Sequence, residues 1–258
     1  MKNIIYLIII SLITFSNNAQ VQEGDNIRFQ FLNVEKDKIE EFESYMIEYV
    51  GPVAKKAVAE GKMENWLLRK VANNSIYNSD FTHVAVWVAT NPEPSWSDIW
   101  AKTYPNVSED ARSWIYGKGE ELYSTLYNAY CEYITGFFRE ESVIPDVAIF
   151  NLIKAKKYNA YMEKEIDAKD IFEKHAKQLD GWHVLKRSGM VAKSEGAWDM
   201  LTIDLFDSWD KANQNWWQDI PSNVMKKHND EHGTDLREIR HRIMTRLLFD
   251  ARSEKTDK

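Results

Sequence analysis

Cysteine is nearly absent from this chain of 258 residues, in which Cys131 is the only one. No disulfide can form within the chain, so its stability must come from a hydrophobic core. Glycine and proline are also scarce, with 10 and 6 residues. The sequence has no glycine-rich phosphate loop, no G-x-S-x-G turn and no cysteine–histidine zinc ribbon. These absences argue against nucleotide chemistry and against acyl-enzyme chemistry.

The one long apolar run lies at the amino terminus. Lys2 supplies a positive charge, apolar residues dominate as far as Ile13, and small or polar residues follow at positions 16–20. The run is shorter than a membrane span and has the layout of a secretory signal peptide. We therefore expect residues 1–20 to be removed, with cleavage after Ala19, and an uncleaved anchor is the alternative. The mature chain is expected to be periplasmic or secreted and free of the membrane.

Positive charge is in deficit, since 33 Lys and Arg residues face 40 Asp and Glu residues and give a net charge of −7. An acidic surface attracts neither nucleic acid nor anionic lipid, so neither is expected as a partner. Aromatic residues are abundant, with 10 Trp, 12 Tyr and 11 Phe. A core of this size does not need so many, and we expect some of them to line a pocket for a small ligand.

One order of elements occurs twice along the chain. Residues 27–32 alternate like a strand, residues 36–62 have helical spacing with a break at Gly51-Pro52, and strands follow at 66–71 and 81–88. The second copy has its strands and helix at 147–153, 157–179, 182–187 and 198–205. The strands that begin at Trp66 and Trp182 each carry a pair of basic residues farther along.

Each half closes with a helical stretch and a short β-like segment, at 133–138 and 242–248. Two such β-α-β-β-α-β units resemble the tandem form of the dimeric α+β barrel superfamily. The resemblance implies an α+β fold, in which two tandem ferredoxin-like repeats pack their antiparallel sheets into a pseudo-two-fold barrel. We place the first repeat at 21–142 and the second at 143–258. Two β-rich lobes with unrelated folds are the alternative, and a homodimer is left open.

The alternation of apolar residues predicts which side chains face a central cavity of the barrel and which face the helices. The set expected to face the helices consists of Phe29, Phe31, Val84, Val86, Val88, Leu201, Ile203 and Leu205. The set expected to face the cavity consists of Arg28, Gln30, Phe81, His83, Ala85, Trp87, Trp198, Met200, Thr202 and Asp204. The predicted cavity therefore combines basic, acidic, amide and aromatic groups, which suits a small polar ligand.

His83 and His183 are the candidate catalytic residues. The candidate substrate-binding residues are Arg28, Gln30, Trp66, Trp87, Trp182, Lys186, Arg187, Trp198 and Asp204. Elimination next to a carboxylate needs a base, an acid, and a cation or amide that stabilises the developing enolate. The sequence therefore predicts a lyase or dehydratase, without cofactor or metal, that removes water from a uronate-containing oligosaccharide.

Two other functions are open at this point. The same aromatic cavity could serve a non-enzymatic protein that binds a carbohydrate or another small polar ligand. Several α+β barrel proteins bind or degrade haem through a histidine with Asn and Trp nearby, and His83, Asn65 and Trp66 imitate that set without its spacing. The export signal, the acidic surface and the aromatic content also resemble those of exported ulvan-oligosaccharide dehydratases, and no single motif carries this resemblance.

The segment from His228 to His232 spells the H-x-x-E-H motif of inverted zinc peptidases. Gly233 follows at once and breaks the helix that such a site requires. We therefore expect an incidental surface pair of histidines rather than a peptidase, and metal binding by the pair is left open.

Overall fold

The computed structural model describes residues 21–72, 81–89, 95–140, 143–189 and 198–252. The strands are β1 (Asn26–Asn33), β2 (Asn65–Val71), β3 (His83–Ala89), β4 (Ser124–Phe138), β5 (Val147–Ala155), β6 (Gly181–Arg187), β7 (Met200–Phe206) and β8 (Arg237–Asp250). The helices are α1 (Ile39–Tyr45), α2 (Gly51–Ala59), α3 (Trp96–Thr103), α4 (Glu109–Glu120), α5 (Tyr158–His175), α6 (Trp209–Ala212) and α7 (Ser222–His232). None of these helices has the length and hydropathy needed to cross a membrane. The predicted signal peptide and the predicted repeat boundary at residue 142 lie outside the described residues and stay predictions.

Eight antiparallel strands close into one barrel in the order β1-β3-β2-β8-β5-β7-β6-β4. The first half of the chain, residues 21–140, supplies β1 to β4, and the second half, residues 143–252, supplies β5 to β8. The last strand of each half joins the two halves, because β4 pairs with β1 and β6 while β8 pairs with β5 and β2. The predicted two-repeat α+β barrel is confirmed.

The interior of the barrel is a packed apolar core. It contains the side chains Phe29, Phe31, Val84, Val86, Val88, Leu201, Ile203 and Leu205. We expected these residues to face the helices, so the facing prediction was wrong for β1, β3 and β7. The interior of an eight-stranded barrel is just wide enough for side chains to fill, and buried polar groups without partners are costly there. The uniformly apolar faces therefore point inward, and the helices cover the more polar outer face.

The helical segment of the first half contains a change of helix type. α1 continues through a π-helical turn, Met46–Val50, directly into α2. Pro52 lies in the first turn of α2 and has no N–H to donate to the preceding turn, so a wider turn accommodates it. The break predicted at Gly51-Pro52 is therefore a widened turn within one continuous helical segment.

The layer between sheet and helices differs between the two halves. In the first half, Trp66 and Trp87 fill this layer, with their ring centroids 6.1 Å apart. Trp66 pairs with Trp87 across β2 and β3, and Trp182 pairs with Asp204 across β6 and β7. Asp204 therefore occupies the position equivalent to Trp87. A carboxyl is much smaller than an indole, which leaves space in the second half.

Candidate functional site

A cavity of about 410 Å³ lies in the second half, between the outer face of the sheet and the helices α5 and α7. Its volume is typical of a small-molecule site. The strands contribute Asn151, Trp182, Thr202, Asp204, Arg237 and Arg242 to its lining. The helices and the turn before α7 contribute Tyr161, Glu165, Phe172, Trp216, Trp217 and His228.

Asp204 lies on the floor of the cavity and is only 5% exposed. Asn151 Nδ2 donates to Asp204 Oδ2 at 3.2 Å and to Thr202 Oγ1 at 3.1 Å. Burial raises the pKa of the Asp204 carboxyl to about 6, against the opposing effects of the Asn151 hydrogen bond and of Arg242 and Arg237. A carboxyl with a pKa near neutrality can accept and release a proton, as a general base or acid must.

A second buried carboxyl, Glu165 of α5, is held by Arg237. Arg237 Nη1 donates to Glu165 Oε1 and to Tyr161 Oη, both at 3.1 Å. Burial raises the pKa of Glu165, although the charge of Arg237 opposes this effect. The cluster holds α5 over the sheet, and it leaves Arg237 engaged by the protein itself.

Arg242 also reaches the cavity, from the strand next to Asn151, which is its paired residue. Its charge lowers the pKa of Asp204. Within the described residues, no hydrogen bond or salt bridge engages its guanidinium group. The floor therefore presents two arginines. Arg237 is hydrogen-bonded to protein side chains, and the Arg242 guanidinium is not, within the described residues.

Aromatic rings form the wall above this floor. Trp216 and Trp217 are stacked with their centroids 4.2 Å apart, and the Phe172 ring lies edge-on to Trp182, Trp216 and Trp217 at 5.1–5.3 Å. Trp217 is 39% exposed, so the wall extends to the surface of the protein. Flat apolar faces beside polar groups suit a ring-shaped ligand with polar substituents.

His83 does not line this cavity, because it lies in the first half and faces α1. The side chain is fully buried, with Nε2 3.2 Å from Glu43 Oε1 and Nδ1 2.9 Å from Thr82 Oγ1. Burial lowers the pKa of His83 to about 4, although Glu43 opposes this effect. His83 is thus a neutral ring that connects β3 to α1.

We expect His83→Gln to leave ligand binding in the second-half cavity unchanged and to lower the free energy of unfolding by about 1–2 kcal/mol, because the Glu43 and Thr82 contacts are disturbed. Urea unfolding and calorimetric titration of the same samples measure both effects. A folded His83→Gln protein that no longer binds ligand would show that the site extends into the first half.

His183 lies against the barrel core near one end. Its Nδ1 is 3.3 Å from Tyr133 Oη, and its ring centroid is 4.3 Å from that of Phe138. The strand approaches closely only because residue 136 is glycine, since a Cβ there would lie 2.5 Å from His183 Nδ1. Burial lowers the pKa of His183 to about 3, so the ring is neutral.

The remaining predicted site residues are dispersed over the barrel. The Arg28 guanidinium lies 4.1 Å from the Trp87 ring centroid, and Gln30 Nε2 donates to Thr125 Oγ1 at 2.7 Å. Lys186 Nζ lies 2.7 Å from Glu132 Oε1, and the Arg187 guanidinium lies 4.4 Å from the Trp198 ring centroid. Trp66 packs in the first-half core.

Of the predicted site residues, Asp204 and Trp182 line the second-half cavity. The predicted central cavity was wrong because the barrel interior is filled.

His228 and His232 both lie on α7, with ring centroids 5.0 Å apart. His232 Nε2 is 2.9 Å from Asp167 Oδ2 of α5. His228 is only 4% exposed and lines the cavity. The prediction that both histidines lie on the surface was therefore wrong for His228. Among the described residues, no group of three or more His, Cys, Asp or Glu side chains is arranged to hold a metal ion.

No protein-family model matches the chain, and no curated protein matches it. The solved structures include similar folds. A candidate monooxygenase from Fusobacterium nucleatum is 11% identical, with 89% of this chain and 95% of that chain covered and a TM-score of 0.50. A candidate monooxygenase from Lactobacillus acidophilus is 8% identical, with coverages of 88% and 96% and a TM-score of 0.50. A haem-binding protein from Thermus thermophilus is 8% identical, with coverages of 88% and 92% and a TM-score of 0.47.

Identities this low establish a fold and no chemistry. They give no support to the specific resemblance to ulvan-oligosaccharide dehydratases. The chain has the ferredoxin-like α+β barrel fold, in its tandem two-repeat form.

Proposed function

We propose that this protein is an acid–base enzyme that binds a small ring-shaped molecule in the second-half cavity and transfers a proton through Asp204. The observation that carries the proposal is the buried Asp204 carboxyl, whose pKa is raised to about 6 on the floor of a ligand-sized cavity. Buried carboxyls with such pKa values are characteristic of general bases and acids. The aromatic wall supplies the surface on which a ring can stack.

The reaction we propose is elimination of water from the acidic sugar of a uronate-containing oligosaccharide. Ionised Asp204 removes the proton from the carbon next to the sugar carboxylate, and the negative charge that develops lies beside Asn151 and Arg242. The bond between the next ring carbon and its hydroxyl oxygen then breaks. The proton on Asp204 passes to this hydroxyl, which leaves as water, and a carbon–carbon double bond forms between the two ring carbons. Asp204 returns to its ionised form. We place the reaction outside the cytoplasm, in line with the predicted signal peptide.

Mass spectrometry of uronate oligosaccharides after incubation with the protein tests this reaction. We expect products that are lighter by one water and that gain the ultraviolet absorbance of a conjugated double bond. Asp207→Asn is the matched control, because Asp207 is an exposed neighbour that pairs with Lys211 at 2.7 Å, and it should retain full activity. Oligosaccharides that bind without any change of mass would contradict an enzyme and support the non-enzymatic binding protein.

Haem binding is the second candidate, and one observation favours it. His228 is a buried imidazole on the cavity lining, and a histidine is a common ligand of haem iron. The floor fits haem less well, since Asp204, Asn151 and Thr202 present polar groups where a porphyrin face needs apolar contact. The residues present therefore fit a small polar ring better than haem.

Titration with haemin distinguishes the two candidates. We expect no saturable Soret band from the purified protein. A stoichiometric band that His228→Ala removes, while the variant stays folded by circular dichroism, would establish haem binding in this cavity and displace the sugar assignment.

A further inference from the structure

We infer that Arg242 binds an anionic carboxylate of the ligand, so that the cavity selects acidic rings over neutral ones of the same shape. The inference rests on the proposed function for the location of the site. It does not depend on turnover.

The first argument is the contrast between the two arginines of the floor. Arg237 donates to Glu165 and Tyr161, and this cluster is complete without a ligand. Arg242 lines the same cavity, and within the described part of the chain its guanidinium group makes no hydrogen bond or salt bridge. Guanidinium groups present a planar set of donors that matches a carboxylate. An arginine in a pocket whose N–H groups have no protein acceptor can donate them to a ligand.

The second argument is an irregularity of β8 that directs Arg242 toward the cavity. The pairing of β5 with β8 shifts at Leu152/Ile153, where Leu152 pairs with His241 but the next residue pairs with Ile239. Arg240 is the extra residue of this bulge. Strict alternation from Arg237 and Ile239 would turn Arg242 toward the apolar barrel core. The bulge reverses the alternation, so that Arg242 faces the cavity.

The third argument is the balance of charge on the floor. Arg237 and Glu165 neutralise each other, with Nη1 and Oε1 3.1 Å apart. Lys164 also lines the cavity, but protein oxygens engage its Nζ, which donates to Asn229 Oδ1 at 3.1 Å and to the Gly233 carbonyl at 2.9 Å. Asp204 is the acidic group left beside Arg242, and burial holds its pKa near 6. A ligand carboxylate therefore approaches Arg242, whose positive charge the protein neutralises only in part.

Calorimetric titration with two matched pairs of ligands tests the inference in the Asp204→Asn background, where turnover is removed. The pairs are methyl glucuronide with methyl glucoside, and 2-naphthoate with 2-naphthamide. Because a charge-assisted bidentate hydrogen bond is lost in the neutral member, we expect at least one acid to bind roughly 10- to 100-fold more tightly than its neutral partner. Arg242→Gln should remove this preference, and Arg242→Lys should keep part of it.

Arg246→Gln is the matched control on the same strand, because Arg246 is exposed and lies outside the cavity lining. It should leave every affinity unchanged. The inference is overturned if the preference for the acids survives in Arg242→Gln, or if the Asp204→Asn protein with Arg242 intact shows no preference. Neither result bears on the chemistry of Asp204, which the oligosaccharide experiment tests separately. An Arg242-dependent preference for naphthoate alone supports the inference and contradicts the sugar substrate of the proposed function.

Discussion

Asp204→Asn is expected to abolish catalysis and, at the same time, to stabilise the folded protein above neutral pH. The folded carboxyl has a pKa of about 6 against an ordinary value of 3.8. The folded state therefore binds this proton more tightly than the unfolded state. The stability that results is fully present below pH 3.8 and is lost as the pH rises through 6. Asparagine keeps the shape of the side chain and has no charge to bury.

At pH 8 the free energy of unfolding should rise by about 2–3 kcal/mol in Asp204→Asn, and this gain should disappear near pH 4. Loss of the proton-transfer group should lower kcat by at least roughly 100-fold. Activity of the unmodified protein should rise as the pH increases through 6, since the base must be ionised. Urea unfolding at the two pH values and initial rates measure these effects. A less stable variant at pH 8 would show that Asp204 has a structural role instead.

Arg69 is expected to give the second large effect, because it connects β2 to the segment that leads into the second half. The side chain is 2% exposed, Nη1 donates to the Asp146 carbonyl at 3.0 Å, and Nη2 donates to the Pro145 carbonyl at 2.8 Å. Burial lowers the pKa of Arg69 to about 10, so the group is still charged at pH 7. Its charge is thus satisfied by backbone carbonyls in the core.

Arg69→Ala should lower the free energy of unfolding by about 3–5 kcal/mol, since it leaves a cavity and removes two charged donors from buried carbonyls. Arg69→Lys should lose less, because one amine can still donate to one of the carbonyls. Arg246→Ala on the exposed face of β8 is the control, and it should change stability by less than about 0.5 kcal/mol. Urea denaturation measures all three variants. A loss below about 1 kcal/mol for Arg69→Ala would contradict this role of Arg69.

The order of strands and the duplication were predictable from the sequence because alternation and repeat spacing are local features. Alternation separates the two faces of a strand, but it does not tell which face is enclosed. Val84 and Leu201 were placed on the wrong side for this reason. Closure of the sheet into a barrel decides the matter, since a narrow interior accepts only apolar side chains.

Part of the candidate site was also within reach of the sequence. Aligning the two repeats on Trp66 and Trp182 places Ile203 opposite Trp87, and only the strand pairing, with one more residue in the second hairpin, places Asp204 there. Glu165 lies on the buried stripe of α5 with Tyr161, and a carboxyl on a buried stripe is a signal that the sequence shows. Arg242 was not predictable, because its direction depends on a bulge that only strand pairing reveals.

Carbon-13 NMR of the aspartate carboxyls, recorded for the unmodified protein and for Asp204→Asn, tests the central claim most directly. One carboxyl, missing from the variant, should titrate near pH 6, and its pKa should shift when methyl glucuronide or 2-naphthoate is added. An Asp204 carboxyl that titrates near its ordinary value of 3.8, or that responds to neither ligand, would contradict a proton-transfer site in this cavity.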